Sequence, residues 1–184
     1  MGLLTISDTS IVEANYYVQK WHRHSDPVPR VQVRFALKLS EIDVSNKGCN
    51  VIGVAMVGNP CGRPSSKNII ELRRVAFNPE VSFGHMRRHY NDRRYKTDLS
   101  KRRLPIIITT DDLYKGNVIR SRETPSTFLT IVEDLIKIRL PYMHTIWTYV
   151  HDYEEAKYIE YAGYTCDHEF TRRGIPKRRY AKYV

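Results

Sequence analysis

A chain of 184 residues with 41% hydrophobic content is large enough for one domain with a real core and leaves little room for a second. Its net charge of +10 is concentrated in two places: Arg87 to Arg103 holds eight Lys or Arg against two Asp, and Arg172 to Lys182 holds six with no acid, leaving the remainder at −2. A membrane span, a secretion signal, an N-terminal lipidation signal and a CxxC metal or redox pair are all absent, so Cys49, Cys61 and Cys166 read as reduced thiols of a protein that stays in the cytoplasm.

In chain order, Leu3 to Ile6 reads as a short strand. Ser10 and Glu13 form a capping box, and the helix it opens carries Ile11, Ala14, Tyr17, Val18 and Trp21 on one face, ending before Pro27. Alternation of Val31, Val33, Phe35, Leu37 and Leu39 with polar residues predicts a half-buried strand. Asn46-Lys47-Gly48 turns it into an antiparallel partner at Val51 to Val57, and Ile69 to Phe77 forms the next strand. A basic insertion over 81–105 has no clean period, with at most a helical turn near Met86 to Tyr95. Extended structure returns at Ile106 to Thr109, followed by a helix over Thr124 to Leu140 with Pro125 in its first turn. A strand at Thr145 to Val150, a short helix over Tyr153 to Ala162 closed by Gly163, and a basic segment over 171–184 with a last strand complete the chain. This order predicts a single α/β domain, 1–184, with a mixed central sheet covered by helices on both faces.

Clustered cations repel one another unless a polyanion or a set of carboxylates answers them. Arginine outnumbers lysine in both basic segments, and His85, His89, Tyr90, Tyr95, Tyr180 and Tyr183 are interleaved with it. Guanidinium forks suit phosphates and aromatic rings suit bases, so Arg87, Arg88, Arg93, Arg94, Lys101, Arg102, Arg103, Arg172, Arg173, Lys177, Arg178 and Arg179 are the expected nucleic-acid contacts. A solvated basic loop and tail is the plainer alternative.

The element order, with Ala162-Gly163-Tyr164 closing a short helix after a strand, resembles the GNAT acyltransferase fold. Four blocks are similar to the phage Mom family: Trp21-His22-Arg23-His24, Val51 to Pro60, Glu71-Leu72-Arg73-Arg74-Val75, and Arg122 to Leu129; the Arg178-Arg179-Tyr180 tail agrees. That resemblance implies a transferase that uses acetyl-CoA or a related donor to convert adenine in double-stranded DNA to a carbamoylmethyl-type derivative, shielding phage DNA from restriction in the bacterial cytoplasm. Two departures stand against it. The ordinary GNAT pyrophosphate signature is missing between Phe77 and Pro125, and the basic insertion occupies that place.

Candidate site residues follow from both lines of reasoning. Arg122, Thr124, Ser126 and Thr127 surround a helix amino terminus whose exposed amides can hold a pyrophosphate, although ordinary capping produces the same pattern. Glu71 and Arg74 lie in the strand beside the expected acceptor, where regular alternation would turn them to opposite faces. His22, with His24, offers a base or an iron ligand, and no third ligand is identifiable. Tyr149, His151 and Asp152 end a strand at the edge where open sheets bind ligands, and Asp152 is also placed to cap the next helix. Tyr16, Tyr17, Tyr158 and Tyr161 read as core or rim packing, and Trp21, Tyr90 or Tyr95 as rings for a flipped base. Two rival functions remain: an acetyltransferase acting on a protein or small molecule, and a nucleic-acid-binding module without chemistry. The sequence leaves the oligomeric state open, a dimer included.

Overall fold

The computed structural model describes residues 2–21, 26–43, 48–62, 66–81, 106–109, 124–152, 154, 156–172 and 174–184. The strands are β1 (Gly2–Asp8), β2 (Val33–Asp43), β3 (Gly48–Gly58), β4 (Ile69–Phe77), β5 (Ile106–Thr109), β6 (Thr145–His151), β7 (Thr165–Arg172) and β8 (Ile175–Tyr183). The helices are α1 (Ile11–Trp21), α2 (Thr124–Arg139) and α3 (Lys157–Tyr161), with a 3-10 turn at Arg30–Gln32. The basic insertion, apart from its nearest residue Val81, lies outside the described residues.

The eight strands of the described residues form one mixed sheet in the order β5-β1-β2-β3-β4-β6-β8-β7, and β4 with β6 is the parallel pair among them. The mixed α/β architecture is therefore as expected. Two expectations are corrected in detail. The chain ends in a β7–β8 hairpin rather than one strand, with Gly174 at φ +77 between the two. Helix α3 begins at Lys157, not Tyr153, and its N-cap is Ala156 without a side-chain bond, so Asp152 caps nothing there.

Opposite faces of the sheet carry two apolar clusters. Beneath α2 and α3, Phe128, Leu129, Ile131, Val132, Leu135 and Ile136 meet Ile6, Leu37, Ile52, Ile70 and Leu72. Each such side chain contributes about 1.5–3 kcal/mol relative to exposure, which fixes α2 to the sheet without help from helix propensity. On the other face Ala14 and Val18 of α1 pack on Ala36, Val54, Met56 and Ala76. Ser10 accepts a hydrogen bond from the Glu13 amide at 3.0 Å, as a cap should. The Glu13 carboxylate does not reach back. It accepts from Thr9 Oγ1 at 2.6 Å and pairs with Lys38 Nζ at 2.8 Å, joining α1 to β2.

Candidate functional site

Strands β4 and β6 stay together for only four residues, from Ile69↔Thr145 to Leu72↔Thr148. Thr148 Oγ1 donates to the Leu72 carbonyl at 3.1 Å as the last tie. Beyond it β4 remains paired with β3 and β6 with β8, and a notch opens between them. A cavity of about 490 Å³ occupies this notch.

The bulge in β4 determines what faces the cavity. Met56 pairs with Arg74 and Val57 with Leu72, leaving Arg73 as the extra residue. Before the bulge Leu72 joins the cluster under α2; after it Ala76 joins the cluster under α1, while Val75 and Phe77 turn toward α2. The faces have exchanged. Glu71 and Arg74, three apart and expected on opposite faces, consequently line the same cavity.

Glu71 is buried, and its carboxylate accepts from the Cys61 amide at 2.5 Å and from Cys61 Sγ at 3.4 Å. Arg73, also buried, lies 3.8 Å from the same carboxylate and donates to the Asn59 carbonyl at 3.0 Å and to Gln32 Oε1. This network fastens the β3–β4 loop over the notch. Burial, followed by the charge of Glu71, pushes the Cys61 thiol above its ordinary pKa, so this sulfur stays protonated. Arg74 donates to the carbonyls of Arg73 and Asp26, at 2.7 and 3.4 Å.

Beyond Glu71 and Arg74, Tyr149 and His151 of β6 line the cavity, as do Arg172 and Lys177 of the last hairpin. Burial raises the hydroxyl pKa of Tyr149. Asp152 stands apart, exposed, with its carboxylate 3.4 Å from Arg178 Nε. Arg178 also donates to the Asp152 and Glu154 carbonyls, and Arg179 forms a two-pronged pair with Asp167 at 2.8 and 3.0 Å while lying 4.1 Å over the Trp147 ring. These two arginines are thus engaged within the domain.

At the far end of the notch Phe77 packs edge-on against both Phe128 and Tyr158. This contact sets the first turn of α2 beside the end of β4. Thr124 and Thr127 lie in that turn, and Ser126 is half-buried with its carbonyl accepting from Thr130. His22, His24, Arg122, Arg173, Tyr90, Tyr95 and the cations from Arg87 to Arg103 lie outside the described residues. Trp21 packs on Tyr17 with ring centroids 4.8 Å apart, at the edge of the α1 cluster rather than in the notch. Among the described residues no three His, Cys, Asp or Glu side chains are grouped to hold a metal ion.

Sequence reasoning overlooked Cys61, Arg73, Tyr158 and Phe170. Tyr158 had looked like packing, and it does pack on the α2 cluster, but it also lines the cavity. Burial raises its hydroxyl pKa far above the ordinary phenol value, which keeps the proton in place. The Glu-Leu-Arg-Arg run is the one signal that could have exposed the bulge, because strict alternation would have put one charge of the Arg73-Arg74 pair into the α2 core. Tyr161 is exposed, and Tyr16, also largely exposed, packs at the rim edge-on against Tyr17 with ring centroids 5.2 Å apart.

A sheet that parts between two parallel neighbours, with a helix packed beside the far end of one of them, is the decisive feature. The fold is that of the GNAT acetyltransferases. Over 98% of this chain and 92% of theirs, it superposes on the ribosomal-protein-S5-alanine acetyltransferase of Vibrio fischeri with TM-score 0.56 and 9% identity. The IAA acetyltransferase of Bacillus cereus gives 0.53 at 9% identity, covering 98% of this chain and 99% of that one. The yncA protein of Salmonella typhimurium, solved with its cofactor acetyl-CoA, gives 0.54 at 10%, covering 98% and 93%. No family model matches the sequence, and no curated protein does. At these identities the GNAT fold alone is shared. No helix among the described residues is long and apolar enough to cross a membrane.

Proposed function

We propose that this chain is an acyl-CoA-dependent N-acyltransferase whose donor lies in the notch between β4 and β6. The observation that carries this reading is the parting of the two strands after Leu72 and Thr148. Past that point β4 has one edge without a strand partner among the described residues, and such an edge suits an extended arm that carries amides. The residues present fit the donor. Val75, Tyr158 and Ile159 offer the apolar wall its arm needs, and the first turn of α2 beside Phe77 offers backbone amides for its pyrophosphate, that of Ser126 among them. Acetyl-CoA or a related thioester supplies an activated carbonyl there.

The chain's own residues divide the remaining work. Tyr158 Oη, held protonated by burial, can donate a hydrogen bond and does not serve as a base. Glu71 and Arg73 hold the β3–β4 loop against the notch, and His151 stands at the end of β6 where an acceptor amine would enter. The test is thermal stabilisation by acetyl-CoA together with thiol release in the presence of amine acceptors. Tyr158→Phe should retain the stabilisation and slow thiol release by about 10²-fold or more. A protein whose melting temperature ignores acetyl-CoA would not be a transferase of this kind.

A second, finer reading takes the acceptor to be the adenine amino group of double-stranded DNA, which acyl transfer would convert to an N-acyl derivative with release of the CoA thiol. The observation that favours it is the face of β6, β8 and β7 on the α1 side. Tyr149 meets Phe170 edge-on, His168 stacks on Phe170, and Arg172 and Lys177 stand beside them. Aromatic rings with adjacent cations form the kind of platform on which bases stack. Mass spectrometry of nucleosides from plasmid DNA, after expression in a bacterial host against an empty vector, tests it. A new adenine derivative would support DNA as acceptor; unmodified DNA with active thiol release would transfer the role to a protein or small molecule.

A further inference from the structure

The cavity opens on the α1 side of the sheet, and its mouth there carries four cations: Arg73, Arg74, Arg172 and Lys177. One of them is answered. Arg73 sits against Glu71, whose carboxylate is otherwise taken by Cys61. The other carboxylates at the mouth are Asp26 and Glu154. Glu154 Oε2 accepts from the His151 amide at 3.1 Å, and Asp26 meets Arg74 through its backbone carbonyl.

The other three cations make no ion pair with a carboxylate among the described residues, although Glu71 and Asp26 act on Arg74, and Glu154 on Lys177, from farther away. Arg74 uses both terminal nitrogens on neutral carbonyls, and its Nε is buried with no hydrogen-bond partner. Arg172 and Lys177 lie on the two strands of the last hairpin, where Lys177 pairs in register with His151 on one side and Phe170 on the other. The three are close enough to disturb one another. Burial, then Arg74, then Arg172 hold the Lys177 ammonium below its ordinary pKa, and burial followed by Arg73 does the same to Arg74. Convergent cations with spare donors, Arg74 and Lys177 half-buried and Arg172 exposed beside them, repel one another unless an anion completes them.

We propose that Arg74, Arg172 and Lys177 form an oxyanion subsite at the α1-side mouth of the notch, which takes a phosphate or carboxylate group carried by the acceptor. Calling the ligand an acceptor rests on the acyl-transfer reading; the anion site itself does not. Two guanidiniums and an ammonium can fork onto a tetrahedral or planar oxyanion, and the donor approaches from the α2 side, past Val75 and Tyr158. The subsite would select acceptors by a charge near the reacting amine.

The experiment uses the full chain and measures melting temperature at fixed ionic strength, replacing chloride with inorganic phosphate in one arm and acetate in the other. At tenfold over its dissociation constant, the preferred anion should raise the melting temperature by about 3–6 °C in a saturable way. The double variant Arg172→Gln, Lys177→Gln should melt no lower than the parent in chloride, since it relieves repulsion at side chains that make no hydrogen bond or ion pair among the described residues, and it should lose the anion-dependent rise. Arg30→Gln, an exposed charge elsewhere, should keep that rise. A rise with phosphate alone assigns a phosphoryl group to the ligand, and a rise with acetate alone a carboxylate. No saturable rise with either, or a rise that survives the double variant, overturns the subsite. Stabilisation by acetyl-CoA in the same double variant reports on the donor site separately, so the transferase reading can fail while the subsite stands, and the reverse.

Discussion

The two halves of the sheet solve the same burial problem differently. From β1 to β4 both faces are covered: α2 lies on one side, α1 on the other, and β3 is buried along Val51 to Gly58. From β6 to β7 one face is closed by α2 and α3, while the α1 side carries Tyr149, His151, His168, Phe170, Arg172 and Lys177 without a helix over them among the described residues. Alternation along a strand offers a sheet two faces, and helix coverage decides whether the second becomes core or surface. The notch lies on the boundary between these halves. It has a closed, apolar side and an open, charged side.

The closed face of β8 is the place where this contrast breaks hardest. Lys182 Nζ donates to Glu133 Oε2 and to the Ala162 carbonyl, both at 2.5 Å, and Glu133 is buried within the α2 face. Lys182→Met should cost about 3–5 kcal/mol at neutral pH in urea denaturation, because it leaves a buried carboxylate without its cation. Burial already raises the Glu133 pKa above the ordinary 4.5. The loss should therefore shrink as the pH is lowered, because the carboxyl takes up a proton more readily once its cation is gone; an equal loss at every pH would mean that packing, not charge, holds this face.

In the covered half the sharpest test is Gly58→Ala. An added Cβ would sit 1.9 Å from the Gln32 carbonyl oxygen, so the end of β3 must move away from β2. About 1–3 kcal/mol should be lost by the same measurement. On the open face Phe170→Ala should cost at most about 1 kcal/mol of stability, since the ring is half-buried and, among the described residues, meets Tyr149 and His168 as aromatic partners. If that face receives bases, the same variant should weaken duplex binding by about 1–3 kcal/mol in a fluorescence titration. Unchanged binding would leave the platform as ordinary surface.

The smallest effect belongs to the seam between α1 and β2. Hydrogen bonds from Lys38 and Thr9 hold the Glu13 carboxyl below the ordinary 4.5. A carboxyl lowered in the folded state adds stability above 4.5 and loses it as the pH falls through the folded value. Glu13→Gln should therefore flatten the acid limb of the stability profile below pH 4.5 by a few tenths of a kcal/mol, discounted for solvent screening at a half-exposed pair.

Much of this protein was legible in its sequence. The strand from Ile69 to Phe77 and the hairpin of β2 and β3 follow from hydrophobic alternation and turn residues, and α2 from apolar spacing, because each of these patterns is local. Clustered charge likewise marked Arg172 and Lys177, two residues that line the notch. Other features depended on contacts between distant segments. Only pairing with β3 creates the bulge at Arg73 that brings Glu71 and Arg74 to one cavity. Only the neighbouring strands and loops commit Arg179 to Asp167 and Arg178 to the Asp152–Glu154 turn while leaving Lys177 without such a partner. Periodicity specifies which residues share a face of an ideal strand or helix; where two strands slip by one residue, or part after four, is decided by the balance of packing across the whole sheet.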